Sequence, residues 1–144
     1  MSEATAVSWT YDHVGLSVAD LDGAVAFYES AFGFHDDYRF ELPEAETRVA
    51  MLSHPSGARI ELFERAGSAP EDRPDPHRAL ERQGYGHWAL WSDDVPALFE
   101  SLTAAGAVGV WAPKVGPSGG MMAFVSDLEG NLIELLQVRD DRDG

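Results

Sequence analysis

Short runs of alternating hydrophobic and polar residues, typical of β-strands, dominate this sequence, and a stretch of helical periodicity interrupts them in each half. In the first half, Asp20 is a good N-cap for a helix, and Gly33 is placed to end it. The apolar face of this helix comprises Leu21, Val25, Tyr28 and Phe32. The elements predicted for this half are, in order, a strand at 8–18, the helix, and strands near 34–42, 47–53 and 58–64.

The second half has the same order of elements. A strand is predicted at 85–92, followed by a helix from Asp94 to about Ala105 that tolerates Pro96 in its first turn. Strands near 108–114, 121–126 and 131–138 complete the half. The order βαβββ therefore occurs twice, and the predicted fold class is α+β with two tandem βαβββ modules.

The length and composition fit one domain. A chain of 144 residues with 44% hydrophobic content can bury a substantial core, so we expect a single domain over residues 1–144. Within it, module one spans about 8–64, a linker spans about 65–83, and module two spans about 84–138.

The linker and the chain ends have the composition of loops. Residues 65–76 are rich in Pro, Gly and acidic side chains, and a short helical stretch is predicted at 77–83. The linker is interpreted as a plain connector or as a flexible lid. Residues 1–6 and 139–144 have little to bury and are predicted to be disordered.

The two halves also match residue by residue. Tyr11-Asp-His13-Val-Gly-Leu16 returns as Tyr85-Gly-His87-Trp-Ala-Leu90, and Ile60-Glu61-Leu62 returns as Ile133-Glu134-Leu135. Two histidines and two glutamates consequently occupy equivalent positions of an internal repeat. Three histidines have no partner under the repeat and are predicted to be surface residues: His35, His54 and His77.

Each repeated residue has an ordinary interpretation when taken alone. A glutamate between two apolar strand residues commonly faces solvent, and a single histidine is usually a hydrogen-bonded core residue. The residues beside each glutamate and histidine on the same strand face favour a different interpretation. Apolar side chains accompany both glutamates, and burial of an unpartnered carboxylate is costly. Gly15 and Ala89 follow the two histidines on the same faces and are predicted to leave room beside each imidazole.

His13, Glu61, His87 and Glu134 are therefore the candidate ligands of one divalent metal ion. Two imidazoles and two carboxylates suit Ni, Co, Zn, Fe or Mn, and the chain contains no cysteine that could add a thiolate. Four protein ligands leave open positions at which two vicinal oxygens of a substrate can bind. Such an ion stabilises negative charge as a neighbouring C–H is deprotonated, so a catalytic metal is favoured over a structural one.

The charge excludes some partners. The net charge is −15, and phosphate contacts need a basic surface, so no nucleic-acid partner is expected. No apolar run approaches the length of about 18 residues that a membrane span needs, and residues 1–8 lack the features of a signal peptide. We expect a cytoplasmic protein with a small-molecule substrate. The acidic charge is interpreted as a solubility feature or as attraction for a cationic ligand.

These motifs resemble the vicinal oxygen chelate superfamily, the group of glyoxalase I, bleomycin-resistance proteins and extradiol dioxygenases. The resemblance covers residues 9–137. It is carried by Tyr11-Asp-His-Val-Gly-Leu-Ser-Val-Ala-Asp-Leu21, Ala26-Phe-Tyr28, Phe32-Gly-Phe34, Gly86-His-Trp-Ala-Leu90 and Ser126-Asp-Leu-Glu-Gly-Asn-Leu-Ile-Glu-Leu-Leu136. It implies that the paired modules form a cup-shaped mixed sheet around a metal site, and we expect a homodimer.

Similarity to glyoxalase I implies a lyase or isomerase that uses all four candidate ligands, with Glu134 or Glu61 as the base that moves the proton. Similarity to methylmalonyl-CoA epimerase, carried by Leu42-Pro-Glu44 and Arg59-Ile-Glu-Leu62, implies instead that Glu44 is a proton-transfer base. Those epimerases usually carry Gln at the position of Glu61. A strongly acidic protein also repels an anionic acyl-CoA unless arginines gather at the site.

Two further alternatives remain. Extradiol dioxygenases, like fosfomycin-modifying relatives, need only His13, His87 and Glu134, which leaves Glu61 surplus. A metal-free drug-binding protein of the bleomycin-resistance kind would use the acidic charge and the tryptophans to hold a cationic ligand. Such a binder has no need of metal ligands, so the retention of all four favours an enzyme. The tryptophans are Trp9, Trp88, Trp91 and Trp111.

Overall fold

The computed structural model describes residues 7–137, so the predicted disorder at the two chain ends falls outside the described residues. Module one consists of β1 (Val14–Ser17), α1 (Leu21–Phe32), β2 (His35–Leu42), a short 3-10 turn (Pro43–Ala45), β3 (Thr47–Ser53) and β4 (Arg59–Arg65). After α2 (Pro76–Ala79), module two consists of β5 (Trp88–Trp91), α3 (Val95–Ala104), β6 (Val108–Val115), β7 (Met121–Ser126) and β8 (Leu132–Gln137).

The βαβββ order is confirmed in both modules, and each module forms its own four-stranded mixed sheet. The strand orders are β1-β4-β3-β2 and β5-β8-β7-β6. The first strand of each module pairs in parallel with the last, whereas the remaining pairs are antiparallel. The fold is therefore α+β, with two copies of one topology.

The helices begin where their caps predict. The Asp20 side chain accepts a hydrogen bond from the Gly23 backbone N–H, and Asp94 does the same for Ala97. Gly33 ends α1 in the left-handed conformation, with a φ of 77°, which glycine adopts without a steric penalty.

Two strands are shorter than predicted, for the same reason. The strand expected at 8–18 begins only at Val14, and the one expected at 85–92 begins only at Trp88. Val14 is paired with Ile60 and Trp88 with Ile133, near the first residues of β4 and β8. Because turns precede β4 and β8, residues 8–12 and 85–86 have no residue of these strands to pair with.

The helix predicted at 77–83 is also shorter. It is the single turn α2, which ends at Ala79 because Leu80 donates an i→i+3 hydrogen bond to the His77 carbonyl.

One hydrophobic core runs through both modules. It joins buried residues of α1, β3 and β4 to buried residues of α3, β7 and β8, and the two helices contact each other. Tyr28 and Phe32 of α1 pack against Trp88 of β5, with ring centroids 6.3 and 6.5 Å apart. The helix-facing sides of both sheets are thereby buried, which leaves the opposite sides for the candidate ligands.

Polar contacts reinforce this junction. The Tyr28 hydroxyl donates to Asp127 Oδ2 at 2.7 Å, and both residues are buried. Asp127 also accepts from the backbone N–H groups of Glu129 and Asn131 in the β7–β8 turn. Glu129 in turn accepts from the backbone N–H groups of Ala19 and Asp20. The turn between β7 and β8 of module two is thus fastened to α1 of module one.

Candidate metal centre

In module one, the structure brings His13 and Glu61 together. His13 Nε2 lies 3.0 Å from Glu61 Oε1, and their side chains are 30% and 15% exposed. Strand pairing causes this contact, because Gly15 lies directly opposite Glu61 and His13 precedes Gly15 by two residues on the same side. The flanking Ile60 and Leu62 are fully buried on the helix side of the sheet, as strand alternation predicts.

Module two repeats the arrangement. His87 Nε2 lies 3.3 Å from Glu134 Oε1, and their side chains are 32% and 20% exposed. Ala89 lies opposite Glu134, in the place that Gly15 has in module one. The His87 ring packs edge-on against Phe124, with centroids 5.0 Å apart. Each module therefore presents one imidazole nitrogen and one carboxylate oxygen side by side.

The spacing within each pair fits a shared metal ion. Two ligand atoms that bind one ion at about 2.1 Å, at right angles to each other, lie about 3.0 Å apart. The observed separations of 3.0 and 3.3 Å are close to this value. An imidazole with a carboxylate is also a suitable donor pair for a first-row divalent ion.

One chain does not assemble all four residues. Within residues 7–137, no group of three or more His, Cys, Asp or Glu side chains is spaced to hold a metal ion. The sequence predicts four ligands of one ion and leaves open whether they meet within one chain or across a dimer. The described part of the single chain contains two separate pairs. The physical reason is the shared core, which packs the helix sides of the two modules against each other.

His13 has a second polar contact, on its other ring nitrogen. Nδ1 donates to Asp12 Oδ2 at 2.6 Å, and Arg59 Nη1 lies 2.9 Å from both Asp12 oxygens. The hydrogen bond to Asp12 raises the pKa of the His13 imidazole, although burial opposes this, and the same bond lowers the pKa of Asp12. Both shifts have the same leading cause, the hydrogen bond between the two side chains.

A cavity of about 710 Å³ is bordered by both modules. Its wall includes β1, the residues that lead into β5, linker residues, and parts of the β7–β8 turn. The residues that bear on the site are His13, His87, Trp88, Arg73, Glu129 and Asn131. The linker therefore contributes to a cavity wall, which is compatible with either interpretation of it.

The room predicted beside His13 is partly filled. A Cβ atom added at Gly15 would lie 3.1 Å from the Phe63 ring, so the glycine gives space to Phe63 rather than to the imidazole alone. Glu44 is exposed in the 3-10 turn between β2 and β3 and does not border the cavity. It lies toward the opposite edge of the sheet from β1.

The remaining histidines and tryptophans are not gathered at either pair. His35 and His77 are exposed, and His54 is half-buried against Phe34. Trp9 is 84% exposed and Trp91 51% exposed, whereas Trp88 packs in the core cluster. Lys114 Nζ lies 4.3 Å from the centroid of the Trp111 ring. The chain's own cation therefore covers that aromatic face.

Sequence reasoning missed Asp12 and Arg59 as parts of the site, and Tyr28, Asp127 and Glu129 as an intermodule contact. A signal for Asp12 was present, because a carboxylate directly precedes the repeated histidine in module one. The Tyr28–Asp127 contact joins residues 99 positions apart, and no local pattern indicates it.

The described chain thus consists of tandem βαβββ modules, each with one His–Glu pair. The model of the Glyoxalase/Bleomycin resistance protein/Dioxygenase superfamily matches residues 10–135, and this chain belongs to that superfamily. Among solved structures, the glyoxylase/bleomycin resistance protein/dioxygenase domain from Frankia sp. EAN1pec superposes with a TM-score of 0.76 at 23% identity. The match covers 93% of this chain and 95% of that one, and it supports the fold.

Two curated relatives have names that bear on activity. A probable lactoylglutathione lyase of Vibrio cholerae is 34% identical over 131 residues, which cover 87% of this chain and 88% of that protein. An ethylmalonyl-CoA/methylmalonyl-CoA epimerase of Cereibacter sphaeroides is 31% identical over 134 residues, which cover 88% of this chain and 96% of that protein. Within residues 7–137, no helix is long and apolar enough to cross a membrane.

Proposed function

We propose that this protein is a metal-dependent lyase or isomerase that moves a proton next to a pair of oxygens on a small-molecule substrate. The observation that carries the proposal is the repeated His–Glu pair, His13 with Glu61 and His87 with Glu134. The similarity to a lactoylglutathione lyase supports a glyoxalase I-like reaction on a thiol hemithioacetal.

We further propose that a complete site forms between two copies of the chain in a homodimer. Each copy offers one pair from module one and one from module two, and the two pairs of a single chain remain apart. Pairing module one of one copy with module two of the other supplies two imidazoles and two carboxylates to one ion. A symmetric dimer then contains two such sites.

The protein's own residues have distinct roles in this proposal. A bound divalent ion would supply Lewis acidity toward two vicinal substrate oxygens. His13 and His87 would hold the ion through Nε2, the nitrogen that faces the carboxylate in each pair. Glu61 or Glu134 takes the proton from the carbon beside those oxygens and returns it to the neighbouring carbon. The apolar neighbours Phe63 and Phe124 limit access of water to the two carboxylates.

Metal analysis and activity test this proposal together. Protein prepared without chelator is expected to contain one divalent ion per chain and to isomerise a thiol hemithioacetal. His13→Ala and Glu134→Ala are each expected to lose bound metal and, with it, nearly all activity, because each removes a ligand of every site. Wild-type protein without stoichiometric metal after incubation with Ni, Co, Zn, Fe and Mn would refute the proposal.

An epimerase acting on an acyl-CoA is the second candidate, and the similarity to the Cereibacter sphaeroides enzyme favours it. The charges weigh against it, because Arg39, Arg48, Arg59 and Arg73 each form ion pairs with carboxylates of this chain. In this alternative Glu44 is a proton-transfer base. Solvent deuterium incorporation into methylmalonyl-CoA that Glu44→Gln abolishes would favour the epimerase over the lyase.

The other two candidates have less support. In the dioxygenase, Glu61 is surplus, yet it lies as close to His13 as Glu134 lies to His87. For the drug-binding protein, Lys114 already covers the Trp111 face that a cationic ligand would use. Turnover of a catechol with Fe(II) would favour the dioxygenase, and binding of a cationic glycopeptide would favour the drug-binding protein.

A further inference from the structure

His13 is held at both ring nitrogens, and its outer contact lies outside the four candidate ligands. Arg59 Nη1 lies 2.9 Å from both oxygens of Asp12, and Asp12 accepts the Nδ1 proton of His13 at 2.6 Å. On the inner side, Nε2 lies 3.0 Å from Glu61 Oε1. Arg59, Asp12, His13 and Glu61 thus form one continuous line of polar contacts.

We propose that Asp12, itself held by Arg59, is a positioning residue that fixes the His13 ring and makes Nε2 the nitrogen available to the metal. The inference rests on the proposed function, since it assigns a role toward the same ion. Metal-binding histidines generally donate their second ring N–H to a carboxylate or carbonyl, which sets the tautomer and the ring orientation. Because a carboxylate only accepts, the contact with Asp12 keeps the proton on Nδ1.

Arg59 orients Asp12 rather than adding much stability. The Asp12 side chain is 63% exposed, and ion pairs at such positions contribute little free energy in water. An arginine that reaches both carboxylate oxygens nevertheless restricts their rotation. Arg59 is also the first residue of β4, two positions before Glu61. The same strand therefore carries Glu61, the inner partner of His13, and Arg59, which holds the outer partner Asp12.

Within residues 84–137, His87 has no equivalent of this support. Under the repeat, Gly86 stands at the position of Asp12 and Leu132 at the position of Arg59. The His87 ring packs instead against Phe124, at 5.0 Å between centroids. The two halves of the proposed site are consequently unequal: hydrogen bonds orient His13, whereas an apolar contact orients His87.

Metal affinity is the first test. Zn(II) titration of full-length, metal-free protein is expected to show binding about 10- to 100-fold weaker in Asp12→Ala, the range found for loss of such partners. Asp12→Asn should bind more tightly than Asp12→Ala because its amide oxygen can accept the Nδ1 proton. Arg59→Gln should fall between Asp12→Ala and the wild type. Asp93→Ala removes the same charge from an exposed position outside the site and should match the wild type.

A spectroscopic measurement separates positioning from general destabilisation. In metal-free protein, nuclear magnetic resonance should detect a hydrogen-bonded Nδ1 proton of His13, assigned by its absence in His13→Gln. The signal is expected in the wild type and in Asp93→Ala, and not in Asp12→Ala. Circular dichroism of each variant checks that the fold is retained.

The outcomes separate this inference from the proposed function. If the wild type binds zinc and Asp12→Ala binds it within twofold as tightly, the positioning role is overturned while the metal site stands. An unchanged Nδ1 signal in folded Asp12→Ala overturns it as well. If the wild type binds no divalent ion, both proposals fail. Weaker binding together with loss of the signal, each specific to Asp12, supports the inference.

Discussion

Tyr28 shows how a single buried residue ties the two modules together. Its hydroxyl donates to Asp127 across the module junction, and neither residue has appreciable solvent exposure. Burial raises the pKa of Tyr28 well above its ordinary value, and the nearby Asp127 carboxylate acts in the same direction. The phenol therefore stays protonated in the folded protein.

Tyr28→Phe is expected to lower the free energy of unfolding by about 1 to 3 kcal/mol, because the buried Asp127 carboxylate loses one donor. Urea unfolding followed by circular dichroism measures the change. Tyr85→Phe provides the control, since the Tyr85 side chain is 98% exposed and should leave the midpoint unchanged. Equal midpoints for wild type and Tyr28→Phe would show that the hydroxyl contributes nothing to the junction.

Tyr28 also affects how the free energy of unfolding changes at alkaline pH. Because the pKa of Tyr28 is higher in the folded than in the unfolded chain, its contribution is fully present below the unfolded value of about 10 and is lost as pH rises above it. Unfolding free energies measured between pH 8 and 11 should fall less steeply in Tyr28→Phe than in the wild type. Parallel slopes would contradict this assignment.

Among the secondary-structure elements, α1 and α3 begin with the same kind of N-cap. Asp20 and Asp94 each accept from the backbone N–H three residues later, at 3.0 Å. Asp94→Ala is expected to cost about 0.5 to 2 kcal/mol of stability, the range measured for loss of an N-cap. Thermal unfolding tests this, with Asp93→Ala as a control for the loss of charge. An equal shift in both variants would mean that charge rather than capping is responsible.

Local sequence predicted most elements because caps, turns and strand alternation are local. The structure places β3 and β7 at the predicted residues, and α1 begins after Asp20 and ends before Gly33. The predicted starts of β1 and β5 were wrong because a strand also needs a partner. At the observed registers β4 and β8 extend only one residue beyond the partners of Val14 and Trp88, so residues 8–12 and 85–86 have no partner in them.

The candidate site was likewise predicted only in part from local sequence. Strand parity predicted that Glu61 lies opposite to its buried neighbours, and the repeat indicated which histidine accompanies each glutamate. Arg59 could not be predicted as the partner of Asp12, because the parallel pairing of β1 with β4 brings together residues 47 positions apart. Whether the two pairs meet within one chain or across a dimer could not be read from the sequence, since it depends on how the modules share one core.

For the whole molecule, the proposed sharing of the site between two chains can be tested by complementation. A variant lacking the module-one ligands, His13→Ala with Glu61→Gln, and one lacking the module-two ligands, His87→Ala with Glu134→Gln, should each be inactive. When they are unfolded and refolded together, mixed dimers should regain one complete site, because intact module one of one chain meets intact module two of the other.

Activity and metal content of the mixture measure the outcome. Mixed dimers form half of a random mixture, and each restores one of its two sites, so about a quarter of wild-type metal content and activity is expected from statistical pairing. Two portions of the same variant refolded together serve as the control. A mixture as inactive as its components would place the site within one chain.

The separation of the two His–Glu pairs within a chain, together with the proposed dimer, would also make activity depend on protein concentration. If no chain holds a complete site alone, dilution below the dimer dissociation constant removes sites without unfolding any module, and activity per chain falls. Added metal opposes this, because an ion bound by both copies draws them together. Under dilute conditions the ion would then promote dimer assembly as well as serve as a cofactor.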